Sequence, residues 1–249
     1  MTLTRDNLFS NMDSLVKKAI QYFWSTRAGQ IDKQHQHQTY DQGNRGAVTG
    51  GKQLDGFVEL VKRVLLVYGL SEACIHTNSS LELPGYYRPN KKWDLLAVHN
   101  ERLLAAIEFK SQVGPSFGNN FNNRTEEAMG SALDLWTAYR EGVLGTNPAP
   151  WLGYVMVLED CDKSASPVTA TSKHFPIMKE FVDASYKKRY EIFCQKLMLE
   201  RQYSAACLIT TQKSTENPSN YSSPVDALSF SNFIASLTGH IDASLRRNV

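Results

Sequence analysis

Cysteine is scarce. Its four copies, Cys74, Cys161, Cys194 and Cys207, include no Cys-x-x-Cys pair and no histidine at a ligand-like spacing. Structural zinc needs soft ligands close together in the chain, so the pattern argues against a zinc fold and a disulfide scaffold alike. Small buried thiols in a reducing compartment account for the four residues. Long apolar runs are also lacking. Stretches such as Val64-Leu65-Leu66-Val67-Tyr68 fall far short of the roughly 20 residues a membrane-crossing helix needs. The first residues, MTLTRDNLFSNM, have no basic segment leading into an apolar one, which predicts a cytoplasmic protein without a secretory signal. Nor is there an excess of either charge, since 27 Lys+Arg against 25 Asp+Glu leave +2. What remains is a 249-residue chain, 42% hydrophobic and 10% aromatic, which fits one elaborated globular domain with a sizeable core.

The near-neutral total conceals a pattern. Residues 1–92 carry 12 basic and 8 acidic side chains (+4), residues 93–160 carry 4 and 9 (−5), and residues 161–249 carry 11 and 8 (+3). An acidic centre between basic arms suits a metal-dependent enzyme acting on a polyanion, with carboxylates for the cation and Lys and Arg for phosphates. Solvated helix faces produce the same pattern, so it permits such an enzyme without requiring one.

Apolar spacing predicts a helix over residues 6–26, with Phe9, Met12, Val16, Ile20 and Phe23 on one side. Residues 33–53, KQHQHQTYDQGNRGAVTGGKQ, are almost devoid of apolar side chains and read as a long loop, followed by a second helix over 54–69. WDLLAV (93–98) and LLAAIEFK (103–110) read as two strands joined by the polar turn His99-Asn100-Glu101-Arg102. Residues 113–123, VGPSFGNNFNN, read as loop, and a helix is expected from Arg124 to Val143. Further strands are expected at 154–159 and 204–212, two helices within 175–202, a loop at 218–224 and a closing helix over 226–246. No repeat is evident. The sum is one α/β domain with a mixed sheet of about four or five strands.

The chemistry concentrates in the hairpin. If it is centred on Glu101, residues whose numbers sum to 202 face one another, which sets Asp94 opposite Glu108. Lys110 lies two residues beyond Glu108 and shares its face, with Leu96, Val98, Leu104 and Ala106, while Phe109 points the other way. The acid-x-Lys triplet occurs once in a chain where roughly 1.5 are expected by chance, so the triplet alone proves nothing. Its placement is informative, because an ionisable trio interrupting apolar strands is costly unless paired or metal-bound. A cross-strand salt bridge at a strand end remains the alternative on pattern alone.

Asp94, a hairpin, then Glu108-x-Lys110 resembles the PD-(D/E)xK nuclease signature, with Trp93 where the pattern has Pro. The runs YYRPNKKWDLLAV (86–98), AIEFKSQVGPSFGNNFNNRTEEAMGSALDLW (106–136) and GGKQLDGF (50–57) resemble the XhoI-type family of type II restriction endonucleases. The likeness extends over nearly all of residues 1–249. It implies a restriction-endonuclease-like α/β core, a mixed central sheet flanked by helices, with a catalytic hairpin at one edge. It also implies Mg²⁺-dependent cleavage of both strands of double-stranded DNA at CTCGAG with 5′ overhangs. A homodimer and a partner methyltransferase that protects host DNA follow from the same resemblance. Under it Asp94 and Glu108 supply carboxylates to the metal, the carbonyl of Phe109 is a further ligand, and helical Glu59 joins through water. Lys110 orients the nucleophile and offsets charge developing on the phosphoryl oxygens.

Base reading falls to loops able to enter a groove, where Asn and Gln suit adenine and Arg and Lys suit guanine. The 113–124 segment offers Asn119, Asn120, Asn122, Asn123 and Arg124, and the 33–53 segment offers Gln36, Gln38, Gln42, Asn44, Arg45 and Lys52. Arg88, Lys91 and Lys92, just upstream of the proposed metal site, suit phosphates. Gly46 to Lys52 matches a phosphate-loop pattern, but Gln53 stands where a hydroxyl must bind Mg²⁺ and no apolar strand precedes it. A structure-specific or repair nuclease of the same fold, or a DNA-binding protein whose hairpin acids are only structural, stays open at this level.

Overall fold

A computed structural model describes residues 2–36, 52–214 and 220–246, with backbone alone for 31–36. The long helix α1 (Met12–Gln36) buries Met12, Val16, Ile20 and Phe23, the periodic positions of the sequence. Phe9, expected on that face, is exposed because the chain turns at Asn11, whose N–H is shared by Asn7 and Leu8 carbonyls; Leu8 takes the core position. Residues 33–36 therefore belong to the helix and not to a loop, and Lys52–Leu54 forms a single 3₁₀ turn. Gln38, Gln42, Asn44 and Arg45 lie outside the described residues. Helix α2 (Asp55–Val67) follows and buries Phe57, Leu60, Val61, Val64 and Leu65.

The central sheet is mixed and six-stranded, in the order β1 (Ile75–His76), β4 (Leu95–His99), β5 (Arg102–Gln112), β6 (Trp151–Glu159), β7 (Ala205–Thr211), β8 (Tyr221–Ser222). A separate ribbon pairs β2 (Glu82–Pro84) with β3 (Asn90–Lys92). Strands β5, β6 and β7 are parallel. Their crossovers contain α3 (Phe117–Arg140) and α4 (Tyr186–Leu199). Beyond β7 comes α5 (Phe230–Arg246). Strand parity separates two cores, as alternation requires. Leu95, Ile107, Val155 and Cys207 pack with α1, α2 and α5, whereas Leu96, Ala106, Tyr154 and Leu208 pack with α3 and α4. Covered on both faces, the central strands are continuously apolar, which is why β6 and β7 were legible as buried strands.

Three expectations are corrected. The β4–β5 hairpin is not at the edge, since the two-residue β1 pairs outside β4. Helix α3 begins at Phe117, so the expected loop over 113–123 shrinks to its first residues. Within 175–202 there is one helix, α4, preceded by the short turn Lys179–Phe181.

Candidate active site

The hairpin turn contains two residues, Asn100 and Glu101, both with positive φ (50° and 60°), as a right-twisted two-residue connection demands. His99 pairs with Arg102, so near the turn the paired numbers sum to 201. A bulge at Ala97/Val98 adds one residue on β5, and beyond it Ala97 pairs with Ala105 and Leu95 with Ile107, summing to 202. The bulge decides the chemistry. Without it, Asp94 would oppose Ile107, and the two carboxylates would lie on opposite faces. It also turns Leu104 into the α1/α2/α5 core, leaving Leu103 on the face where Leu104 was expected.

Just before β4, the Asp94 backbone N–H donates to the Ile107 carbonyl at 3.3 Å, and Asp94 Oδ2 accepts from the Phe109 N–H at 2.7 Å. Glu108 and Lys110 share a face of β5, and Phe109 is buried in the opposite core. The Glu108 carboxylate is almost inaccessible and is clamped by two ammonium groups, Lys110 Nζ at 2.7 Å and Lys91 Nζ at 3.1 Å from the same Oε1. Its Oε2 lies 3.4 Å from the Tyr203 hydroxyl, which donates to the Ala128 carbonyl at 3.0 Å. Lys91 also lies over the Trp93 ring, 4.2 Å from the centroid.

These contacts set the ionisation. Burial works against the Glu108 anion, but Lys110 and Lys91 outweigh it and hold its carboxyl below the ordinary range. Burial raises Asp94, with only partial relief from Lys110 and the Phe109 N–H. Lys110 feels the same desolvation, yet Glu108 and Asp94 hold its ammonium above the usual value, so Lys110 is a cation here. Burial pulls Lys91 down, against Glu108.

Around this centre the chain builds a polar surface. Lys92 is exposed between the cavity of Glu108 and Lys91 and that of Asp94. Lys52, Asp55 and Glu59 line the Asp94 side, with Asp55 and Glu59 one turn apart on α2. Burial raises Asp55, Lys52 offsets it and Asp94 adds to it, which brings Asp55 within the field of the centre. Asp55 was missed; its spacing of four from Glu59 was the available signal. Asn120 and Arg124 face the Asp94–Lys110 side from the first turns of α3, while Asn119, Asn122 and Asn123 are exposed to solvent. Gln112 anchors that helix start: its Nε2 donates to the Phe117 carbonyl at 2.9 Å, and its Oε1 accepts from the buried Tyr190 hydroxyl.

A second anchor, also missed, holds Arg88. Buried Asp134 on α3 accepts from the N–H groups of Tyr86 and Tyr87, both at 2.8 Å, and from Arg88 Nε at 2.7 Å. Gly85 is required there, because a Cβ would meet the Arg88 carbonyl oxygen and an Asp134 oxygen, each at 2.6 Å. The pinned turn presents Tyr86 and Tyr87, 52% and 65% exposed, beside the cavity that Tyr87 shares with Glu108 and Lys110.

Among the described residues no three His, Cys, Asp or Glu side chains converge as a metal cage. Two carboxylates offer hard oxygen ligands, and this sparse set fits Mg²⁺, which keeps several waters and takes phosphate oxygens, rather than zinc. No helix among the described residues is long and apolar enough to cross a membrane.

The sequence model of the family described as restriction endonuclease XhoI matches residues 33–223. The type II restriction enzyme BstVI of Geobacillus stearothermophilus is 50% identical over 206 residues, 81% of this chain and 92% of its own. The type II restriction enzyme XhoI of Xanthomonas vasicola is 45% identical over 190 residues, 76% of each chain. AbrI of Azospirillum brasilense, also a type II restriction enzyme, is 50% identical over 160 residues, 64% of this chain and 72% of its own. No solved structure matches. With a family match over residues 33–223 and such identities, the chain belongs to the XhoI family of type II restriction endonucleases.

Proposed function

We propose that the protein hydrolyses phosphodiester bonds in both strands of double-stranded DNA at one palindromic site, using Mg²⁺, as the nuclease of a restriction-modification system. The family resemblance implies CTCGAG with 5′ overhangs. The observation that carries the reading is the meeting of Asp94, Glu108 and Lys110 across the bulged hairpin, in a chain 45–50% identical to type II restriction enzymes.

Asp94 and Glu108 would hold the metal, with the Phe109 carbonyl as a further ligand and Glu59 joining through water. Bound there, Mg²⁺ supplies Lewis-acid polarisation of the phosphate and a lowered pKa for an attacking water. Lys110, kept protonated beside the carboxylates, places its cation where negative charge grows on the phosphoryl oxygens and orients the nucleophile. Lys91 is the second cation of that wall, and Tyr203 keeps Glu108 in place from the buried side. Lys92, Lys52 and Arg88 contact phosphates, and the Arg88 turn supplies a contact with fixed geometry because Asp134 holds its backbone. Asn119, Asn120, Asn122 and Asn123 present donors and acceptors to base edges from a helix start, a stiffer platform than a loop, and Arg124 contacts the DNA from the same helix. Gln42, Asn44 and Arg45 are assigned to the DNA on sequence grounds. A twofold-symmetric cut calls for a homodimer with one centre per strand.

Digestion of a mapped phage DNA with Mg²⁺, followed by end mapping, tests the proposal. Discrete fragments that all end at CTCGAG with 5′ extensions are the expected result. A smear, preference for branched substrates or no covalent change would overturn it.

A further inference from the structure

Two buried residues flank the centre without a part in the account above. Arg27, on α1, is 6% exposed, and Gln53, in the 3₁₀ turn before α2, is 3% exposed. Both line a cavity of about 200 Å³ that also contains Asp94, Lys110, Asn120 and Arg124. At roughly 30 Å³ per water, it has room for a phosphate group and several waters. Glu108 does not line it. The cavity therefore adjoins the Asp94–Glu108 pair, with Asp94 and Lys110 as the shared wall.

Its chemistry is that of an incomplete anion site. Three cations, Arg27, Lys110 and Arg124, face one carboxylate, Asp94. Arg124 gives one terminal N–H to Glu127 at 2.5 Å, but among the described residues its buried Nε has no hydrogen-bond partner. Gln53 Oε1 is likewise buried and unpartnered. Two lining residues of one small cavity that each carry an orphaned buried polar atom are unusual, since such groups ordinarily find partners and leaving one unpaired is costly. The Arg27 guanidinium has its own burial to offset, and Glu159, whose Oε2 already accepts the Gly114 N–H at 2.7 Å, meets it only in part.

We propose that this cavity is a second phosphate subsite, which receives the DNA phosphodiester next to the scissile one between Arg27 and Arg124. The inference rests on the nuclease reading above. The Arg124 Nε–H donates to a phosphate oxygen, the Arg27 fork binds the same group, and a water carried in with the phosphate donates to Gln53 Oε1. The subsite sets the position of the strand along the centre, so its residues act by binding and not on the reacting atoms.

The test uses the full chain, Ca²⁺ in place of Mg²⁺, and duplexes bearing the mapped cleavage site with one phosphate at a time replaced by a neutral methylphosphonate. Wild-type binding weakens about ten-fold at the scissile phosphate and about ten-fold at one neighbour, the scale of a charge-assisted hydrogen bond. In Arg27→Met the loss at that neighbour falls below about two-fold while the loss at the scissile position persists. A merely structural arginine would weaken all duplexes by one common factor, and that outcome overturns the subsite. If Arg27→Met does not fold, as judged by its thermal melt, Arg124→Met is held to the same cancellation. A wild-type protein that cleaves the site yet shows no sensitive neighbour refutes the subsite alone. One that neither binds nor cleaves duplex DNA refutes the nuclease reading itself.

Discussion

At the scale of single residues, a buried acid keeps its charge where neighbouring donors meet it. Asp134 is the clearest case away from the catalytic centre. Burial opposes its charge, but the N–H groups of Tyr87 and Tyr86 and the Arg88 guanidinium hold its carboxyl below the ordinary carboxylate range. A depressed folded-state pKa gives stability that is fully present above the unfolded value and fades as pH falls through the folded one. Asp134→Asn should thus cost about 1–2 kcal/mol at pH 7, the range of a lost charged hydrogen bond. Urea unfolding from pH 7 to pH 3 checks it: the deficit stays constant above about pH 4 and shrinks below. A deficit that grows with acid would contradict the assignment. Asp134 was not legible in the sequence, because an acid inside a helical pattern looks solvated until the tertiary fold brings three donors to it. Asp94, Glu108 and Lys110 were legible because they interrupt strands that are otherwise apolar.

At the scale of elements, the hairpin shows what a single sequence reveals and conceals. Counting from Glu101 puts Asp94 opposite Glu108, and the observed ladder has that register as far as Leu95–Ile107, one residue short of Asp94, for a different reason. A two-residue turn sets one register and the bulge restores the other, and a bulge leaves no mark on apolar periodicity. Glu101 occupies a left-handed position, φ 60°, that favours glycine, and it is exposed. Glu101→Gly should therefore raise stability by about 0.5–1 kcal/mol, read as a higher denaturant midpoint with unchanged slope. A loss of stability would show that the turn is held by the Glu101 side chain instead. Helix α3 teaches the converse lesson. Its first turns, rich in Asn and Gly, have loop composition, and their helical state comes with Gln112, which ties Phe117 to the buried Tyr190 hydroxyl of α4, a tertiary link that composition cannot convey.

At the scale of the whole molecule, the net charge of +2 is the sum of opposed local fields. Part of the acidic centre is accounted for by Asp94 and Glu108, and cations of the first arm, Arg27, Lys91 and Lys92 among them, are folded against it. A molecule of this kind relies on placed contacts more than on a general basic field, so its nonspecific DNA affinity should be moderate. Cleavage of a palindrome further requires two such centres, and sedimentation equilibrium should give twice the mass of one chain; a monomer that still cuts both strands in one binding event would contradict the symmetry argument. The most direct test of the central claim, that the bulged hairpin is the catalytic centre, is a parallel digest and binding titration of wild type and Lys110→Ala on one duplex containing the site. The account predicts that Lys110→Ala melts at a similar temperature and binds within a few-fold of wild type, yet cleaves in Mg²⁺ at least ~100-fold more slowly. Cleavage at the wild-type rate would contradict it.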